Sequence, residues 1–141
     1  MQKKLIVALV LLFVVVILGG ALIAWPAPQA QGKPFVSDKV IITSPLANSA
    51  VAKTFTVTGE AKGQWYFEAS FPVQVRDKDN NKVGQGIAQA QGDWMTAEFV
   101  PFKADVTVTN YSGPATLVLL KDNPSGLPEN EDSVEIPIVI Q

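Results

Sequence analysis

Between residues 65 and 76 apolar and polar side chains alternate with a period of two. Trp65, Phe67, Ala69, Phe71, Val73 and Val75 take the odd positions, and Tyr66, Glu68, Ser70, Pro72, Gln74 and Arg76 the even ones. Successive side chains of a strand point to opposite faces, so this stretch predicts a half-buried strand with one dry face. The same pattern recurs in Phe55 and Val57 among threonines, in Val106 and Val108 beside Asp105, Thr107 and Thr109, and in Val134, Ile136 and Ile138 beside Ser133 and Glu135. Val40–Thr43 and Ala115–Leu120 are short apolar runs without alternation, as expected of an opening strand and of a more buried central one. Turn-forming segments separate them: Ser44–Ser49, Asp77–Asn81, Gln91–Asp93, Asn110–Pro114 and Asn123–Gly126. No amphipathic helical period of useful length follows residue 25. The expectation is an all-β fold over residues 40–141, an antiparallel sandwich of about seven strands. Pro72, Pro101 and Pro137 cannot donate to a ladder and are expected at edges or bulges.

The hydrophobic pattern before residue 26 is of another kind. From Leu5 to Trp25 only Gly19 and Gly20 depart from the apolar set, and no charge interrupts the run. At ~1.5 Å per residue a helix over 5–25 is about 31 Å long, which matches a hydrocarbon core of roughly 30 Å. Lys3 and Lys4 precede it, so the positive-inside bias leaves residues 1–4 in the cytoplasm and sends the remainder across. The competing reading is a cleaved signal peptide. Its apolar core is usually shorter, and cleavage after Ala27 or Ala30 would place Trp25 or Pro28 where a small residue is required. An uncleaved transmembrane anchor fits better, and both readings export the β domain. Residues 26–39 carry three prolines in a polar setting and read as an extended extracytoplasmic linker.

Composition narrows the chemistry. The 141-residue chain has no cysteine and no histidine. Disulfides, thiolate or imidazole metal sites, and Ser-His or Cys-His nucleophiles are therefore excluded. From Pro26 onward nine Lys/Arg face thirteen Asp/Glu with no basic cluster, which argues against nucleic acid as a partner. The acids fall mainly in turns and on wet strand faces, where nothing raises a carboxyl to the range of a general acid, so no catalysis is expected. Asp77-Lys78-Asp79-Asn80-Asn81 begins like a calcium loop. Lys82 stands where the turn glycine belongs and Ala88 where the bidentate acid belongs, so a polar hairpin turn is expected, with no metal and no cofactor. Glu129, Glu131 and Asp132 read as a solvated face, and Asn110-Tyr111-Ser112 is a short, unspecific match to a glycosylation sequon.

The remaining candidates are for binding. Trp65 is in phase with the dry face and reads as core. Tyr66 points the other way and Trp94, beside Asp93, follows a turn, so both are candidates to stack on a sugar ring or a partner protein. Asn123-Pro124-Ser125-Gly126 fits a type I turn, with a recognition loop as the added functional reading.

Specific strings carry a resemblance. They are Trp65-Tyr66-Phe67-Glu68-Ala69-Ser70-Phe71-Pro72-Val73, Gly92-Asp93-Trp94-Met95-Thr96, Phe99-Val100-Pro101-Phe102 and Lys121-Asp122-Asn123-Pro124-Ser125-Gly126-Leu127-Pro128. With Ile42-Thr43-Ser44-Pro45, Val57-Thr58-Gly59-Glu60-Ala61 and Val134-Glu135-Ile136-Pro137, they resemble the immunoglobulin-like domain of bacterial spore-germination proteins. The resemblance implies an immunoglobulin-like sandwich outside the cytoplasmic membrane with an adhesive or assembly role. The expected partners are the membrane itself through residues 5–25 and an envelope protein, with cell-wall glycan as the alternative.

Overall fold

A computed structural model describes residues 32–141. The expected cytoplasmic N-terminus, the anchor at 5–25 and the start of the linker lie outside the described residues. Among the described residues no helix is long and apolar enough to cross a membrane.

The described chain is all-β. Nine strands follow in order: β1 (Phe35–Val36), β2 (Val40–Ser44), β3 (Ala50–Val51), β4 (Thr54–Lys62), β5 (Ser70–Arg76), β6 (Lys82–Ala90), β7 (Phe99–Val108), β8 (Gly113–Leu120) and β9 (Ser133–Ile140). Seven are long and two, β1 and β3, have two residues each. They form one hydrogen-bonded sheet in the order β1-β2-β4-β7-β6-β5-β8-β9-β3. All neighbours are antiparallel except β3, which runs parallel to β9. Lettered A to G, the long strands give A-B-E-D followed by C-F-G, the order of an immunoglobulin-like domain. The sheet does not break between the two groups. The Asp77–Asn81 turn joins β5 to β6, which stay paired from Ser70 to Arg76.

That sheet curls until its ends meet. Laid flat, β2 and β3 would stand about 34 Å apart at ~4.8 Å per strand. Only residues 45–49 connect them, a span of roughly 20 Å at full extension. Lys39, before β2, and Asp132, before β9, touch at 2.6 Å although six strand spacings separate β2 from β9. The dry faces turn inward around one core. In β7, Val100, Phe102, Ala104, Val106 and Val108 are buried while Pro101, Lys103, Asp105 and Thr107 are exposed. Phe71 sits at the centre, edge-on to Phe102 at 5.0 Å, Tyr66 at 5.1 Å and Trp65 at 6.4 Å between ring centroids, a geometry that aromatic quadrupoles favour.

Four expectations change. The strand expected from residue 65 starts at Ser70: Gly63–Trp65 form one 3-10 turn, and Phe67 and Ser70 close a tight turn around Glu68 and Ala69. Phe67 is consequently 42% exposed rather than on the dry face. The linker expected over 26–39 contains β1, whose Phe35 and Val36 pair with Ile42 and Ile41, so the sheet begins inside it. The sandwich of about seven strands is a nine-stranded curled sheet. The three prolines occupy interior strands, each where one ladder has run out: pairing to β8 starts after Pro72, pairing to β6 stops at Phe102, and pairing to β3 starts after Pro137. Each is thus locally an edge position, where a missing N–H costs nothing.

Candidate functional site

Strand directions sort every connection to one of two ends. Residues 45–49, 52–53, 77–81 and 109–112 lie at one end. Gly32 is beside Ala47 and Gln141 bonds to Val51, so both ends of the described chain also lie there. The connections 37–39, 63–69, 91–98 and 121–132 lie at the opposite, far end. All five binding candidates fall in these far loops: Tyr66, Asp93 with Trp94, and Asn123 with Pro124. Topology alone brings them together, as it does the recognition loops of antibody variable domains.

The far loops are tied to one another. The Lys62 N–H donates to Lys39 O at 2.9 Å, the Gly63 N–H to Glu98 O at 3.1 Å, and the Asp122 N–H to Trp65 O at 3.0 Å. The Lys39 ammonium closes the ring on Asp132. Gly63 is required for this: a Cβ there would lie 1.8 Å from Thr96 O and 2.4 Å from Trp94 O. The 91–98 loop rests directly on the backbone of the 63–65 turn.

Within this surface the candidates differ. Tyr66 is only 4% exposed, and its hydroxyl donates to Val100 O at 2.7 Å. Burial pushes its phenol well above the usual value. It is a core residue rather than an open stacking platform, although it lines one wall of a groove. Trp94 is half-buried and packed against the core. Asp93 is exposed, and its Oδ1 accepts the Met95 N–H at 3.0 Å, which shapes the turn that follows. Asn123 braces its own loop: its Nδ2 donates to Leu127 O at 2.8 Å, and its Oδ1 accepts from Ser125 Oγ at 2.5 Å. The Gly126 N–H closes the expected turn on Asn123 O, leaving Pro124 exposed at the tip.

Two open grooves meet at this loop. One, about 260 Å³, runs between Tyr66, Phe67, Asn123 and Pro124. The other, about 550 Å³, lies between Pro72, Leu120, Glu131 and Asp132. Lys121 and Asn123 line both. Hydrogen bonding to Lys39 holds the Asp132 carboxyl below the usual carboxylate range, opposite to what a general acid needs. At the near end, Asp77 accepts from the backbone of Asn81 and Asp79 and from the Asn81 side chain, which depresses its pKa and closes the turn on itself. Among the described residues no group of three or more acids converges as a metal would require.

Sequence reasoning missed the large apolar side chains exposed in or beside the far loops. Met95 is 77% exposed, Val36 69%, Leu127 49% and Phe67 42%. A usable signal for Leu127 was an isolated apolar residue within a turn segment, between Gly126 and Pro128. Phe67 was hidden because its position matched the dry-face period. It is presented by Glu68 and Ala69, whose φ values of 49° and 63° lie in the left-handed region that non-glycine residues occupy at a cost.

Searches among curated proteins and among solved structures found no match. A family model described as the immunoglobulin-like domain of bacterial spore germination matches residues 39–126. The match begins just before β2 and ends inside the loop that leads to β9. With well over half of the chain covered and the strand order of such a domain present, this chain belongs to the family of the immunoglobulin-like domain of bacterial spore germination.

Proposed function

We propose that the chain is a membrane-anchored, extracytoplasmic interaction module of the bacterial cell envelope, which engages another envelope protein through its far loops. The observation that carries this reading is the share of exposed apolar side chains there: of the six large exposed hydrophobics among the described residues, four, Val36, Phe67, Met95 and Leu127, lie in or beside those loops. Apolar side chains clustered on an exposed surface mark contact sites. Residues 5–25 supply the anchor, with residues 1–4 cytoplasmic. Gly32, the first described residue, lies at the near end, opposite the far loops. The module is not an enzyme: it has no histidine or cysteine, and Asp132, in the larger groove, is stabilised as a carboxylate.

The absence of cysteine makes the test direct. Val139→Cys, at the near end, should react with a membrane-impermeant maleimide in intact cells. A thiol labelled only after lysis contradicts export. Met95→Cys carrying a benzophenone maleimide should form protein adducts in the native envelope, and the same probe at position 139 should form far fewer. Equal yields from both ends contradict the assignment of the contact surface.

Trp94 keeps a second reading in play, that of a cell-wall glycan-binding module, because its indole is only half-buried. Cosedimentation of the chain with purified peptidoglycan, lost in Trp94→Ala, favours it. Failure of the unmodified chain to cosediment removes it.

A further inference from the structure

The far loops are polarised in charge as well as apolar at their tips, and the two properties together define a partner. Eight of the thirteen acids lie in residues 37–39, 63–69, 91–98 and 121–132, against two of the nine lysines and arginines of the described residues. The far loops therefore carry a net charge of −6 and the rest of the described domain +2. Six of the eight acids are exposed and the other two half-buried. Among the described residues one of the eight, Asp132, is in an ion pair. The remaining seven carboxylates share these loops with the exposed side chains of Phe67, Met95 and Leu127.

We infer that the far loops dock a cationic protein surface, one in which lysines and arginines flank an apolar patch. The inference rests on the interaction reading above and names the chemistry of the partner. Protein–protein contacts combine apolar side chains with charged ones, and a surface of one sign selects a partner of the other and speeds encounter. Anionic wall polymers and anionic lipid headgroups are repelled by the same field. The loops are also braced before binding by their mutual backbone bonds and the Lys39–Asp132 pair, so little ordering is required on contact.

The test uses the full chain in nanodiscs of phosphatidylcholine, with empty discs subtracted, and three synthetic peptides of equal length. One alternates leucine and lysine, one replaces lysine by glutamate, and one replaces leucine by serine. The leucine–lysine peptide should bind at least tenfold more tightly than either of the others. Raising salt from 50 to 500 mM should weaken it about tenfold, because the Debye length shrinks roughly threefold and the attraction is screened. The variant Glu68→Gln/Asp93→Asn/Glu129→Gln/Glu131→Gln should lose about tenfold in affinity, as should Met95→Ser/Leu127→Ser. Asp79→Asn/Asp105→Asn, which removes two acids outside the far loops, should lose nothing. Equal binding of the leucine–glutamate peptide, or equal losses in the control variant, overturns the inference. The two readings fail separately. Adducts from position 95 without a preference for the cationic peptide keep the interaction reading and refute its partner chemistry. A lack of adducts there refutes the reading and the inference with it.

Discussion

The two ends of the domain are closed by the same nine strands and have been built differently. At the near end the connections are short and turn inward on themselves. The Asp77 carboxylate accepts three hydrogen bonds from its own turn, Ser49 Oγ donates to Leu46 O, and the Tyr111 hydroxyl donates to Pro114 O. The near loops carry two lysines against two aspartates and none of the large exposed hydrophobics. At the far end three of the four loops, 63–69, 91–98 and 121–132, are longer, and they are acidic and carry the exposed Phe67, Met95 and Leu127. A sheet that needs only to be closed is served by the near-end solution. Left-handed backbone occurs at both ends, but the near end uses Asn48, Asn80 and Asn110, which tolerate it, and the far end uses Glu68 and Ala69, which occupy it at a cost that closure of the sheet does not require.

The comparison can be broken most forcefully through Trp65, which is 1% exposed and anchors the far loops to Phe71 and, through its carbonyl, to Asp122. Trp65→Ala should cost about 3–5 kcal/mol in urea unfolding, as large-to-small core changes do. A loss below about 1 kcal/mol would show that the far loops are not built on this core residue. Next comes Gly63→Ala, whose methyl meets two carbonyl oxygens of the 91–98 loop. About 2 kcal/mol of destabilisation is expected. Amide exchange should accelerate in 91–98 and stay unchanged in 77–81. Uniform acceleration at both ends would contradict the local docking described above.

Ala69→Gly acts in the opposite direction. Ala69 has φ 63°, and relieving left-handed backbone should stabilise the domain by roughly 1 kcal/mol. A variant that melts lower would show that no strain is held in this turn. The smallest effect belongs to the Lys39–Asp132 pair, whose side chains are 45% and 32% exposed and so partly screened by solvent. Hydrogen bonding to Lys39 lowers the Asp132 pKa, so its contribution is present above the unfolded carboxylate value and disappears as pH falls through the lower folded value. Lys39 is raised, chiefly by the same hydrogen bond, so its contribution is present below its unfolded value and is lost as pH rises through the raised one. Between those limits, thermal melts of Lys39→Ala should differ from the parent slightly, and high salt should narrow the gap. A gap that widens in salt contradicts an ionic origin.

Much of the fold was legible because a period of two reports a half-buried strand whatever its neighbours are. β7 and β9 follow their alternation position by position, and the unbroken apolar run in β8 marks Leu117, Val118 and Leu119 as buried on both faces. The same signal misled at Trp65 to Ala69, where two successive turns happen to mimic alternation. Tyr66 is buried because its hydroxyl finds Val100 O thirty-four residues away, an acceptor that no local pattern reveals. β1 escaped notice because two residues in a polar spacer carry no period of their own. Residue type singles out the candidate residues only one by one. Their convergence on one end follows from strand order, which only the paired structure supplies.

The difference between the ends is tested most directly by thiol protection in the native envelope. Met95→Cys and Val139→Cys would each be labelled with an impermeant maleimide, in intact cells and in the purified chain, and the rates compared. A contact surface at the far loops predicts that position 95 is labelled several-fold more slowly in cells than in the purified chain, while position 139 is labelled at the same relative rate in both. Equal rates at position 95, or protection confined to position 139, would contradict it.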